Sequence, residues 1–187
     1  MGQLLRDRIF NAEDHSDFLN FTLQIFEYQY DNNVVYNNFA SHLKKTPGTV
    51  GSLINLPFLP VEFFRTHRII SGDHVVQNIF ESSGTTGSLA GKHYVCDTGL
   101  YTESFIRSFR YFYGDPSEYM IAALLPSYTE RENSSLVYMA DQLIRMSKSP
   151  LSGFYREKEG TLIKNILSAR KKGSKVLLLG VSFALLD

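Results

Sequence analysis

The chain has 187 residues, 43% hydrophobic and 13% aromatic, which is enough apolar material at this length to close a sizeable core. Nineteen basic residues balance nineteen acidic ones for a net charge of zero, so nothing pulls the chain toward nucleic acid or an anionic membrane. No apolar run approaches the roughly 20 residues that span a bilayer, and Met1 to Arg8 lacks the basic-then-apolar order of a signal peptide, so a cytoplasmic location is expected.

From Asp14 to Tyr30, Phe18, Leu19, Phe21, Leu23, Ile25 and Phe26 crowd a helix with a wide apolar face, and Asp14 stands where an N-cap is wanted. Asp31-Asn32-Asn33 breaks it. A second helix is expected from Val34 to Lys44, closed by Lys45-Thr46-Pro47-Gly48. Leu53 to Pro60 holds two prolines in an apolar segment and reads as an extended connection. Its Phe58, with Phe63 and Phe64, packs the helical prologue onto the sheet or, in the alternative, lines an acyl pocket. His67 and His74 flank a turn at Ser71-Gly72-Asp73.

Val75 to Phe80 and Lys92 to Cys96 read as two strands joined by a glycine-rich loop. Cys96 is the only cysteine, which excludes an intrachain disulfide and a cysteine metal site, and it reads as a buried structural thiol. Asp97 or Thr98 caps a helix with Tyr101, Phe105, Phe109 and Phe112 as its core stripe, ending at Gly114. Tyr119 to Leu125 is a continuous apolar run stopped by Pro126, suited to a strand covered on both faces. A helix over Asn133–Met146, with Leu136, Met139, Leu143 and Met146 inward, follows. Another over Glu157–Lys172, with Leu162, Ile163, Ile166 and Leu167 inward, precedes a strand at Lys175–Gly180.

This order predicts an α/β fold: a helical prologue over residues 1–55, then a mostly parallel sheet flanked by helices over 56–187, in a single domain with right-handed crossovers. Ligands of open α/β sheets bind outside the carboxyl ends of the strands. The loops Pro126–Arg131 and Val181–Phe183 are therefore the candidate floor of a substrate site. There Tyr128 is placed to stack on a ligand, Arg131 to hold a carboxylate or phosphate or else pair with Glu130 in solvent, and Ser182 to line the floor. His93 is either a partner for phosphate or carboxylate or an ordinary strand histidine. No histidine spacing suits a metal.

The loop itself runs Ser82-Ser83-Gly84-Thr85-Thr86-Gly87-Ser88. Glycines and small hydroxyl residues leave backbone N–H groups open to an anion, which is the chemistry of a phosphate cradle. Ordinary turns and linkers share this composition, but a linker has no use for bulky β-formers at both ends. A Walker A loop is excluded, because the spacing from Gly87 to Gly91 is one residue short and His93 stands where a magnesium-binding hydroxyl is required.

Ser82-Ser83-Gly84-Thr85-Thr86-Gly87, followed by Lys92, resembles the signature of the adenylate-forming acyl and aryl ligases. The lead-in Leu56 to His67 and the segment Ala123 to Tyr128 resemble the acyl-protein synthetase branch, with phenylacetate-CoA ligases a near second. The resemblance implies the first half of that family's large domain, with Ser82, Ser83, Gly84, Thr85, Thr86, Gly87 and Lys92 binding ATP and magnesium. It further implies activation of a small-molecule carboxylate, a fatty acid above all, as acyl-adenylate, for transfer to an acceptor protein or coenzyme A. One departure stands out: the family's lysine follows its last glycine by two residues, whereas Ser88 to Gly91 intervene here before Lys92. The family's adenine, ribose and catalytic-lysine elements do not occur before Asp187, so a truncated, inactive piece is expected, with a helix beginning after Ser182. The alternative is a non-catalytic α/β domain that binds a nucleotide or a protein, or self-associates through exposed edges of its sheet.

Overall fold

In the computed structural model Asp14 opens the helix α1 (His15–Asn32) as an N-cap: its carboxylate accepts the Asp17 amide N–H at 2.8 Å. The structure describes residues 6, 8–82, 90–126, 131–156 and 159–181, and the chain divides into two compact units, 1–100 and 101–187.

In the first unit, Asn33 ends α1 and caps α2 (Val34–His42). Only 3% exposed, its side chain accepts the Tyr36 N–H at 3.0 Å and donates to the Ser71 hydroxyl at 3.3 Å, so a buried amide has partners on both its oxygen and its nitrogen. Phe26, Tyr36, Ala40 and Val50 form the core of this helical pair. The Tyr36 hydroxyl donates to the Pro57 carbonyl at 2.9 Å, which fastens the proline-bearing connection to the helices, and burial pushes its pKa up to about 12. In α3 (Phe63–Thr66), Phe63 packs edge-on against Phe39 at 5.6 Å and stacks on His67 at 5.1 Å, so it serves packing; Phe58 is exposed.

The two strands flanking the glycine loop are β1 (Asn78–Glu81) and β2 (Lys92–Val95), paired antiparallel from Asn78↔Val95 to Glu81↔Lys92. They form a two-stranded sheet of their own, which corrects the expectation that they join a mostly parallel sheet. A loop this short returns the chain alongside itself, whereas parallel neighbours need a crossover of about a dozen residues or more.

Helix α4 (Thr98–Tyr113) begins in the first unit, where Asp97 accepts the Leu100 N–H at 3.0 Å and Gln77 accepts both the amide and the hydroxyl of Thr98 at 2.9 Å. The second unit holds a three-stranded parallel sheet in the order β4–β3–β5, with β3 (Tyr119–Leu124) central, β4 (Gly153–Phe154) on one side and β5 (Lys175–Gly180) on the other. The two-residue β4 is too short to show in the hydrophobic pattern and was not expected. Met120, Ala122 and Leu124 pack with Leu162, Ile166 and Ala169 of α6 (Glu159–Lys171). Ile121, Ala123 and Leu125 pack with Val137, Ala140 and Leu143 of α5 (Ser135–Met146) and with Phe105 and Phe109 of α4. Alternate residues of one strand thus face opposite layers, and the strand is covered on both sides as its sequence requires.

Three helix faces differ from the expected ones. In α4, Phe112 is 75% exposed, because the row Tyr101, Phe105, Phe109 at i+4 spacing turns inward, and Phe109 meets Tyr119 at 5.6 Å. In α5, Leu136 lies outside while Val137 and Ala140 lie inside, since alanine lets the helix approach the sheet closely. In α6, Ile163 and Leu167 are exposed and Ala169 is buried, for the same reason. The expected start of that helix at Glu157 lies outside the described residues.

Above β4, the edge of β3 is completed by side chains. Ile121 N–H donates to the Ser152 hydroxyl at 2.8 Å, and the Ser147 hydroxyl donates to the Tyr119 carbonyl at 2.6 Å, with the two hydroxyls 2.7 Å apart. Each hydroxyl has one proton, so Ser152 must donate to Ser147, and a directed chain runs from the Ile121 amide to the Tyr119 carbonyl. Ser152→Ala leaves the buried Ile121 N–H without this acceptor. The expected cost is about 1–3 kcal/mol, read as a lower midpoint in urea denaturation with an unchanged slope.

Candidate functional site

The antiparallel pairing brings the two ends of the glycine loop together. Ser82 N–H donates to the Gly91 carbonyl, and Gly91 N–H donates to the Ser82 hydroxyl, both at 2.9 Å. Ser82 therefore closes the base of the loop with backbone and side chain at once, and its hydroxyl is already engaged. A Cβ built on Gly91 would lie 3.4 Å from Ser82 Oγ, 3.7 Å from Arg65 Cγ and 3.8 Å from Phe64 Cβ, so α3 lies against the hairpin at this point. Ser83, Gly84, Thr85, Thr86 and Gly87 lie outside the described residues.

Lys92 leaves the loop opposite Glu81 and places Nζ 3.3 Å from Glu81 Oε1, with both side chains partly in water. This cross-strand pair contributes at most about 1 kcal/mol, so a bound phosphate could draw the ammonium away at small cost. His93, exposed on one side, packs its ring edge-on against Phe64 at 5.9 Å. Loss of water there lowers its pKa below the ordinary 6.5. The neighbouring histidines have structural partners as well: His67 stacks on Phe63, and His74 Nε2 lies 3.3 Å from the Tyr28 hydroxyl. Cys96, just past β2, is a half-buried free thiol.

In the second unit the parallel register sets Leu124 beside Gly180 and Ala123 beside Phe154, so all three strands end at one edge. Arg131 belongs to the loop that leaves β3 there. It is exposed, and its carbonyl accepts the Ser134 N–H at 3.3 Å in the turn before α5. Tyr128 and Ser182 lie outside the described residues. The reading from sequence overlooked the chain following β4, where Tyr155 N–H extends the ladder onto the Ala123 carbonyl at 2.8 Å and the exposed Arg156 comes next. The only signal for it was Ser152-Gly153-Phe154-Tyr155, a glycine followed by two aromatics.

Among the described residues, no group of three or more His, Cys, Asp or Glu side chains is placed to hold a metal, and no helix is long and apolar enough to cross a membrane. No family model matches the chain, and no curated protein or solved structure matches it.

Two measurements test this geometry. Ser82→Ala removes the acceptor for Gly91 N–H and is expected to cost about 1 kcal/mol, whereas Gly91→Ala, which meets only ordinary contacts, is expected to be near neutral; thermal unfolding of the two variants checks the difference. At low pH the unfolded chain takes up a proton on His93 that the folded hairpin resists. Its contribution is therefore full above pH 6.5 and falls as pH drops through that value toward the folded pKa. Urea titrations at pH 7.5 and 5.5 are expected to show a smaller loss in His93→Gln than in the parent chain.

Proposed function

We propose that the chain is the N-terminal part of an ATP-dependent acyl-activating ligase of the acyl-protein synthetase type, in which the hairpin loop closes over the β- and γ-phosphates of ATP. The observation that carries this reading is the run Ser82–Gly87 borne on an antiparallel hairpin whose two ends Ser82 and Gly91 tie together. Anchoring at the base limits the conformations of a glycine-rich segment, which lowers the entropy lost when it orders around an anion.

Adenylation asks the protein to hold a carboxylate in line with the α-phosphate and to neutralise the departing pyrophosphate, so positioning and electrostatics do most of the chemistry. In this reading the backbone amides of Gly84, Thr86 and Gly87 and the hydroxyls of Ser83, Thr85 and Thr86 contact phosphate oxygens. Lys92 exchanges Glu81 for phosphate, and magnesium supplies further charge at the same end. The carboxylate is a fatty acid, and the acceptor is a protein thiol or coenzyme A.

A second reading, a binding domain without catalysis, draws support from β5. Among the described residues it hydrogen-bonds only to β3, and Leu178 together with Ile163 and Leu167 of α6 exposes apolar surface.

Hydrogen exchange with Mg·ATP separates the two. Protection of the Ser82, Gly91 and Lys92 amides, lost together with roughly tenfold or more of the affinity in Gly87→Val, is expected from the ligase reading. Carboxylate-dependent exchange of pyrophosphate into ATP, lowered by Thr85→Ala, is expected of a chain that also carries the adenine- and ribose-binding elements. No ATP protection, together with concentration-dependent dimerisation in sedimentation, would favour the binding domain.

A further inference from the structure

The base of the glycine loop has a wall that its own sequence does not supply. Ser82 and Gly91 continue the antiparallel ladder one step beyond Glu81 and Lys92, and side chains alternate between the two faces of such a hairpin. Glu81 and Lys92 therefore share one face, while Ser82, Gly91 and His93 share the other. Helix α3 lies on that second face: the ring of Phe64 meets the ring of His93 at 5.9 Å, and a Cβ built on Gly91 would stand 3.8 Å from Phe64 Cβ and 3.7 Å from Arg65 Cγ.

Arg65 is thus seated at the loop base by its apolar stem, which packs where Gly91 offers no side chain. The residue is exposed, and among the described residues its guanidinium has neither an ion-pair nor a hydrogen-bond partner. The two other cations of the hairpin are engaged. Lys92 Nζ lies 3.3 Å from Glu81 on the opposite face, and Arg68 lies over the Tyr94 ring at 5.5 Å, where Tyr94 stands two positions further from the loop than Lys92. An uncommitted guanidinium beside the loop base carries a planar fork that matches two oxygens of a phosphate better than an ammonium does.

We infer that Arg65 is a phosphate-binding residue of this hairpin, contacting a bound polyphosphate from the α3 face while Lys92, drawn from Glu81, contacts it from the opposite face. Cations on two faces of one loop base favour linked phosphates, which present charge to both, over a single phosphate. The inference rests on the reading of the loop as a phosphate cradle and adds to it a residue outside the Ser82–Gly87 run.

The test is amide chemical-shift titration of the ¹⁵N-labelled chain with inorganic tripolyphosphate in one arm, the phosphate tail without its nucleoside, and inorganic phosphate in the other. Saturable shifts at Ser82, Gly91 and Lys92 are expected with tripolyphosphate, at concentrations well below those that phosphate requires. Arg65→Gln is expected to weaken tripolyphosphate binding about tenfold and Arg65→Lys about threefold, since lysine keeps the charge and loses the fork. Arg68→Gln removes the same charge from a neighbouring position and is expected to change binding less than about twofold. Binding by Arg65→Gln equal to the parent overturns the inference and leaves the cradle standing; so does an equal loss in Arg65→Gln and Arg68→Gln, which reduces the effect to net charge. Phosphate binding as tight as that of tripolyphosphate overturns the grip from two faces. A parent chain that shifts with neither anion overturns both the inference and the cradle. Because its guanidinium has no partner to lose, Arg65→Gln is expected to keep the parent's thermal midpoint; should the midpoint fall, Arg65→Lys carries the test, and parent-like binding there overturns the inference.

Discussion

Met120, Ile121, Ala122 and Ala123 expose none of their surface, and the architecture of residues 101–187 follows from that burial. A strand with both faces and both edges away from water must find a partner for every backbone polar group. On one edge β5 satisfies all of β3, from Tyr119↔Lys175 to Leu124↔Gly180. On the other, β4 reaches only Ala122 and Ala123, and the hydroxyls of Ser147 and Ser152 complete what it leaves. Three serine hydroxyls in Ser147-Lys148-Ser149-Pro150-Leu151-Ser152 thus have a structural purpose: Ser147 and Ser152 serve the strand, and Ser149 accepts the Leu151 N–H within the turn.

The same burial decides where the helices go. Small side chains at Ala122 and Ala123 let helices approach closely on either face, and each facing helix answers with an alanine, Ala140 in α5 and Ala169 in α6. Close approach brings more atoms into contact per residue than a larger side chain at the seam would allow.

The hairpin in residues 1–100 obeys a different economy. Its strands are short, and its closure is local: Ser82 against Gly91 at the loop base, Glu81 against Lys92 one step further down, and Phe64 of α3 against His93. A local device of this kind holds the two ends of the loop together. Lys92, paired with Glu81, belongs to the strand and not to the loop.

Much of this was legible in the chain itself. The Asp14 cap, the break at Asn33, the apolar run of β3 and the glycine loop between two strands depend on interactions among neighbours in sequence, and such interactions leave local patterns. Other features depend on distant segments. Which of Leu136 and Val137, or Ile163 and Ala169, turns inward is settled by the shape of the sheet beneath, where a small residue at a seam outranks a larger one nearby. Two residues of β4 carry no periodicity, so the third strand of the sheet could not be foreseen. The direction of pairing in the hairpin followed from loop length, a constraint present in the sequence but masked by the parallel strands that follow. The amino-acid sequence by itself determined the types of the longer elements, the cap at Asp14 and the composition of the glycine loop; only the tertiary structure decided which faces are buried and which strands pair, because burial is a property of what packs on a residue and not of the residue alone.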